Sequence, residues 1–569
     1  MDRRERRLRI GFGIFLLLVT VATRLAFRSH TLFEFDSINF VVGLFRFNLA
    51  QVTPQMPGYI LHVLLGRLLY ALVGNPNQAY VWLSMLLSVG SVLFLWRAAS
   101  VLRGERVGVI AALLWLTMPL FWFHGEVNAI YAEEAFYTSL LLYLGGKWLR
   151  SADPAWEPIL YLLALSLATG ARQTSILFFL PATIFLFLKR RPSARIVLSA
   201  IAVFVIASAM WLGELLREAD GLSHYLALAA VERNFKTQSV LFGNSWQSQF
   251  DLIGKVIFYC VVAIGPIWLL VLTLVLTFAK RSLAFVREYT RNNIAQFVFL
   301  LAAMPLAFYL IVFFMKAGYL LNVLPSVILT GAVLLDQEAI WIAEHQKRRN
   351  PTVLTRRLIT RNVTVLTSAF VILNVAWFLV PWPGTEQRIY NNEDTRNSFI
   401  HGAVNRYEHS QSPALTLANR AFEYTNVSGI RAVDSLNDET LRALRANGGN
   451  DSGTVILASW WYRWCYELLP NAITYDLELN PQHLDSLWVG RSQHWYRSFL
   501  DAPGDSIIRF HSTHPVLLLL RHDRPDFEEV TRQVHLEQLA MPEYLDLYRI
   551  LDTTFVLQWH GRTFVGTVE

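Results

Sequence analysis

The chain has 569 residues, 54% of them hydrophobic and only 16% charged. Soluble globular proteins carry about 25% charged residues, so the composition argues against an ordinary soluble enzyme. The net charge of +7 is not a nucleic-acid signature, because the basic residues fall in short loops between apolar runs, and Cys260 and Cys465 lie in unlike surroundings that predict no disulfide.

In chain order, a basic start (Arg3, Arg4, Arg6, Arg7, Arg9) leads into an apolar run over 10–28. That run lacks a small-residue cleavage site and reads as a retained anchor. Further runs at 79–101, 107–123, 134–149, 157–170, 173–188, 196–215, 251–279, 293–314, 318–343 and 363–381 approach the roughly 20 residues that span a bilayer. Basic clusters around Arg103, Lys147, Lys189, Lys280 and Lys347 mark one side, by the excess of Lys and Arg in cytoplasmic loops. Keeping them together requires the apolar segment 57–74, with His62 and Arg67, to lie as an interfacial helix within a long first outer loop. The expectation is an α-helical polytopic membrane protein of about eleven crossings, N-terminus cytoplasmic and C-terminus outside.

After Pro381-Trp382-Pro383 the chain turns polar. This divides it into a membrane domain, 1–383, and an extracytoplasmic domain, 384–569. Thr454–Ser459 and Ala472–Leu477 read as strands flanking a helix-like WWYRWCYELL. Pro515–Leu520 is another strand, and Thr554–Val568 a hairpin turning at His560-Gly561, so the expectation is a mixed α/β domain.

Three groups at the outer face carry chemical potential. Asp36 follows the first run in HTLFEFDSINF, ahead of the turn PQMPGY that ends at Tyr59. The loop HGEVNAIYAEE holds His124, Glu126, Asn128, Tyr131, Glu133 and Glu134. Arg172 in TGARQTS and Lys316 in KAGYLLNVLP are isolated cations. A carboxylate beside a transferring group can take a proton from an acceptor; a second can orient it, bind the acceptor or share a divalent metal. Isolated Arg and Lys suit a phosphate and offset leaving-group charge. Structural roles compete: Asp36 as a helix N-cap, Glu133 and Glu134 as first-turn acids, His124 at the interface, and Arg172 and Lys316 snorkelling to headgroups. The aromatic cluster Trp460, Trp461, Tyr462, Trp464 and Tyr466 suits a domain core or interface anchor better than sugar stacking.

Together these motifs resemble the C-type superfamily of membrane glycosyltransferases, in particular its protein O-mannosyltransferase-like and aminoarabinose-transferase-like members. Asp36 matches the acid after the first crossing, PQMPGY the proline turn, and HGEVNAIYAEEAF the second acidic motif. GARQTSILFFLP and GYLLNVLP match later segments. Met56 departs from the usual proline, and no Glu-Lys precedes the turn. The resemblance covers roughly residues 1–343 and implies a polyprenyl-phosphate sugar as donor, Asp36 as base, a second acid that is Glu126 or, since Glu126-Val-Asn departs from the family's double-acid triplet, Glu133-Glu134, and Arg172 and Lys316 at the donor phosphate. Tyr59, Asn128, Tyr131, Glu133 and Glu134 would meet acceptor or substrate, and Asp36, Glu126 and His124 are the residues for a divalent metal. The partners would be membrane lipids and an acceptor protein, glycan or lipid, in a bacterial inner or plasma membrane. A lipid-linked sugar flippase or transporter, which would place its charges at mid-membrane, and a non-catalytic assembly protein are the rival readings.

Overall fold

The computed structural model describes residues 3–49, 53–236, 239–265, 284–314, 316–349, 355–380, 424–458, 468–477, 507–521, 530–539, 545–559 and 562–569, with a few isolated positions besides. It is mostly helical, with a small C-terminal α/β region. The described chain divides into two compact units. The first comprises Met1–Ser29, Tyr59–Leu215 and Phe235–Ile430; the second comprises His30–Gly58, Leu216–Asn234 and Arg431–Glu569. The expected boundary at 383–384 and the aromatic residues Trp460, Trp461, Tyr462, Trp464 and Tyr466 lie outside the described residues.

In the first unit, six described helices are long and apolar enough to cross a bilayer: Arg3–Phe27, Pro76–Arg103, Ala194–Glu218, Asn293–Ile311, Leu324–Arg348 and Arg356–Leu379. This is an integral membrane protein. Other expected crossings are shorter helices, Glu157–Ala171 (15 residues) and Ser175–Arg190 (16 residues). Tyr131–Arg150 carries Glu133, Glu134, Lys147 and Arg150. The apolar segment after the proline turn is a 14-residue helix, Ile60–Val73, too short for the roughly 20 residues of an upright crossing.

One expectation is corrected. The run 107–123 is not one helix. Glu105–Thr117 stops at Met118, and Pro119–His124 starts a separate short helix, because Pro119 has no N–H to continue the ladder. Between the expected runs 196–215 and 251–279 lie the helix Leu222–Lys236 and the start of Trp246–Ile264.

At the centre of this unit Pro76–Arg103 packs along Tyr131–Arg150. Small side chains let the backbones approach, as in membrane helix pairs generally. Ser91 Oγ lies 2.9 Å from Ser139 Oγ, donates to the Ala135 carbonyl at 3.1 Å and accepts from Trp115 Nε1 at 2.9 Å.

In the second unit, the helix Phe35–Phe45 opens the first loop. Its N-cap is Glu34, whose N–H donates to Ser37 Oγ at 3.3 Å. Asp36 therefore is not the cap; it sits half-buried in the first turn, at the positive end of the helix dipole. The helix rests on the proline turn at Gly43, where an added Cβ would lie 3.2 Å from Pro54 Cδ.

The C-terminal strands β1 (Val455–Ala458), β2 (Ile473–Asp476), β3 (Ile507–Ser512), β4 (Leu517–Arg521), β5 (Leu536–Leu539), β6 (Leu545–Ile550), β7 (Thr554–Trp559) and β8 (Arg562–Val568) form two sheets, ordered β2-β1-β4-β6-β5 and β3-β8-β7. β1 pairs in parallel with both β2 and β4, placing Leu457 beside Tyr475 and Leu518. β7 and β8 form the expected antiparallel hairpin. Val455, Leu457, Leu518, Leu520, Tyr548, Trp559 and Phe564 fill the core.

Candidate active site

The first unit buries a polar cluster where the second acidic motif meets Arg172 and the segment after Lys316. Glu126, fully buried, follows the short helix Pro119–His124, whose Trp122 donates Nε1–H to Glu126 Oε1 at 2.7 Å. The Glu126 carbonyl accepts the Ser29 N–H at 2.9 Å, tying this loop to the end of the first helix.

Arg24, which is not among the sequence-derived candidates, lies behind Glu126 and is 1% exposed. Its guanidinium stacks on Trp122, 5.2 Å from the ring centroid, and donates Nη2–H to the Leu116 carbonyl at 2.9 Å. That carbonyl belongs to the last turn of Glu105–Thr117, where helix acceptors run out of partners. The signal available in the sequence was a cation inside an apolar run.

Glu133 and Glu134 open the helix Tyr131–Arg150, yet their side chains do more than favour its N-terminus. Glu134 pairs with the Arg172 guanidinium, and its Oε2 accepts from Asn322 Nδ2 at 3.3 Å. Asn322 also donates to the Tyr309 hydroxyl at 2.6 Å, and Arg172 lies 4.5 Å over the Tyr319 ring. Arg172 is buried and neutralised, so the snorkelling role does not describe it. The Arg172 position follows the end of Glu157–Ala171, and the Tyr59 hydroxyl is close enough to act on it electrostatically.

Glu133 turns the other way. Its Oε2 lies 2.7 Å from His62 Nδ1, both side chains are 1% exposed, and His62 stacks on Tyr80. His62 is thus inside the helical bundle. The Glu133 carboxylate gives the buried imidazole a partner.

His124 is 2% exposed, and neither ring nitrogen has a hydrogen-bond partner among the described residues. It meets Tyr131 edge-on at 4.9 Å and stacks with Tyr424 at 6.1 Å. Lys316, half-buried, acts on it through its charge. Tyr131 in turn meets Tyr319 at 5.7 Å, and Gly318 packs directly on the Tyr131 ring. Asn128 is fully buried in the same loop. The sequence-derived residues His124, Glu126, Asn128, Tyr131, Glu134, Arg172 and Lys316 thus converge in one unit, joined by Arg24, Asn322, Tyr309 and Tyr319. Asp36 belongs to the second unit. Among the described residues, no three His, Cys, Asp or Glu side chains gather to hold a metal ion.

Residues 54–212 match the family model described as dolichyl-phosphate-mannose-protein mannosyltransferase. No curated protein sequence matches the chain. Among solved structures, apo ArnT from Cupriavidus metallidurans shares the fold with a TM-score of 0.54 at 12% identity, over 95% of this chain and 98% of that one. The same protein bound to undecaprenyl phosphate gives a TM-score of 0.55 at 12% identity, over 95% and 97%. The chain thus carries a segment similar to that mannosyltransferase family and shares its fold with ArnT over nearly its whole length.

Proposed function

We propose that the chain moves a sugar from a polyprenyl-phosphate donor to an acceptor at the outer face of the membrane. One observation carries this reading. A membrane-embedded unit that matches a lipid-phosphate-sugar transferase family buries the cations Arg24 and Arg172 and the acids Glu126 and Glu134 in one aromatic-lined cluster. Ionisable groups in a bilayer are costly and are kept where they do work. The ArnT structure with undecaprenyl phosphate supports the same class of donor.

In the proposed reaction the Asp36 carboxylate takes the proton from an acceptor hydroxyl or amine. The acceptor atom bonds to the anomeric carbon as the bond from that carbon to the phosphate oxygen breaks. The electron pair leaves with the polyprenyl phosphate, and in-line displacement inverts the anomeric centre. Arg172 and Lys316 offset the charge that grows on the phosphate. Tyr319 and Tyr309 orient the guanidinium, and Glu126 meets the acceptor or supports the base. Tyr59, Asn128, Tyr131 and Glu133 line the substrate's surroundings.

The experiment is sugar transfer from radiolabelled undecaprenyl-phosphate hexoses to envelope membranes of a strain lacking the chain, with purified wild-type and Arg172→Ala proteins. Transfer by the wild type and loss of undecaprenyl-phosphate binding in Arg172→Ala are expected. Movement of intact donor between leaflets without transfer would instead make the chain a flippase.

A further inference from the structure

Residues 30–34, which lead from the first membrane helix to the helix bearing Asp36, have no helix or strand of their own. Their backbone groups are held instead by the C-terminal helix Val427–Ala446, some 400 residues away in sequence. Asp434 is the centre of this contact. Its Oδ2 accepts the His30 N–H at 3.0 Å, and its Oδ1 accepts the Thr31 N–H at 2.9 Å and the Thr31 hydroxyl at 2.7 Å. Asn437, one turn along the same helix face, donates Nδ2–H to Thr31 Oγ1 and to the Leu32 carbonyl, both at 3.0 Å. Asp434 is 6% exposed and Asn437 1%. Hydrogen bonds to a buried carboxylate are short and roughly twice as strong as neutral ones. All of these groups belong to the second unit.

The clamp ends where the catalytic helix begins. Leu32 and Phe33 are buried, Glu34 caps Phe35–Phe45, and Asp36 stands in its first turn. The direction from which the chain enters that turn sets where the Asp36 carboxylate points. We propose that Asp434 and Asn437 are positioning residues for Asp36, so that the C-terminal domain serves the transfer reaction by holding the first loop in register. The inference rests on the reading of Asp36 as the base. A base misplaced by about 1 Å can cost on the order of a hundredfold in rate, whereas donor affinity, which the proposed mechanism draws from Arg172 and Lys316, stays.

The test uses the full chain in proteoliposomes, undecaprenyl-phosphate hexose radiolabelled in the sugar, and envelope membranes of a strain lacking the chain as acceptor. Asp434→Ala and Asn437→Ala are expected to lower the rate at saturating donor at least tenfold while the half-saturating donor concentration changes less than twofold. Asp434→Asn, which keeps one acceptor oxygen, should fall between. In an Asp36→Asn background Asp434→Ala should add no further loss, since the group it aims is already gone. An unchanged saturated rate, an equal further loss in the Asp36→Asn background, or a parallel loss of donor affinity would overturn the proposal. Should Asp434→Ala fail to fold, Asp434→Asn and Asn437→Ser carry the same comparison. If Asp36→Asn itself works at the wild-type rate, the base reading falls, and the clamp's role with it. If Asp36→Asn is inactive and the Asp434 variants are not impaired, only the clamp falls.

Discussion

Arg172 and Glu134 form a buried ion pair, so the cation proposed for the donor phosphate already has an acidic partner. The pair is held by Asn322 on the carboxylate side and by the Tyr319 ring on the guanidinium side. A lipid phosphate arriving there must share Arg172 with Glu134 or displace it. The pair keeps the cation from standing uncompensated in the membrane.

Replacing Glu134 by Gln should expose that arrangement. Removing one partner of a buried pair costs about 3–5 kcal/mol, because the other charge is left alone. If undecaprenyl phosphate binds Arg172 as proposed, it supplies the missing negative charge and should raise the thermal midpoint of Glu134→Gln more than that of the wild type. Equal stabilisation of both proteins would place the phosphate elsewhere.

Asp36→Asn keeps the shape of the side chain and removes its basicity. Turnover should fall about 10²–10⁴-fold, the usual contribution of a general base, with undecaprenyl-phosphate binding unchanged. Glu126→Gln tests the second acid in the same assay. Wild-type transfer rates in both variants would dismiss this assignment of the acids.

Gly318 is where the segment after Lys316 packs on the Tyr131 ring, and a Cβ there would overlap the ring. Gly318→Ala should therefore push Tyr131 and Tyr319 apart and loosen the platform under Arg172. Overpacking of this kind costs typically about 1–3 kcal/mol. Transfer should drop more than the expression level does, and Gly254→Ala, at a site with open space around it, serves as the control.

The C-terminal domain is expected to respond to acid at one carboxylate. Asp552, in the turn between β6 and β7, accepts the His535 N–H at 2.7 Å and meets His535 Nδ1 at 2.8 Å. The backbone hydrogen bond first, then the imidazole, hold the Asp552 carboxyl below its usual range. A depressed carboxyl stabilises the fold above its unfolded value, and that contribution is lost as pH falls through the lower, folded value. Hydrogen exchange in β5 and β6, corrected for intrinsic rates, should accelerate with acid in this window for the wild type. Asp552→Asn should flatten that response; an unaltered response would assign it to other groups.

The sequence by itself determined the membrane class of the molecule and the chemical inventory of its candidate site. Long apolar runs must leave water, and acids and cations at their ends are costly enough to stand out one by one, so Asp36, Glu126, Arg172 and Lys316 were legible as chemical groups. The strands Val455–Ala458 and Ile473–Asp476 and the final hairpin were legible from local periodicity. Partnership was not. Arg172 meets Glu134 across 38 residues, His62 meets Glu133 across 71, and Asn322 reaches Glu134 across 188. The Asp434 clamp on Thr31 spans 403. Such pairs depend on which helix faces which, and that is decided by packing across the whole fold. Even the capping of the first loop helix turned on one position: Glu34 and Asp36 are both acidic residues at its start, and only the backbone geometry made Glu34 the cap and placed Asp36 in the first turn.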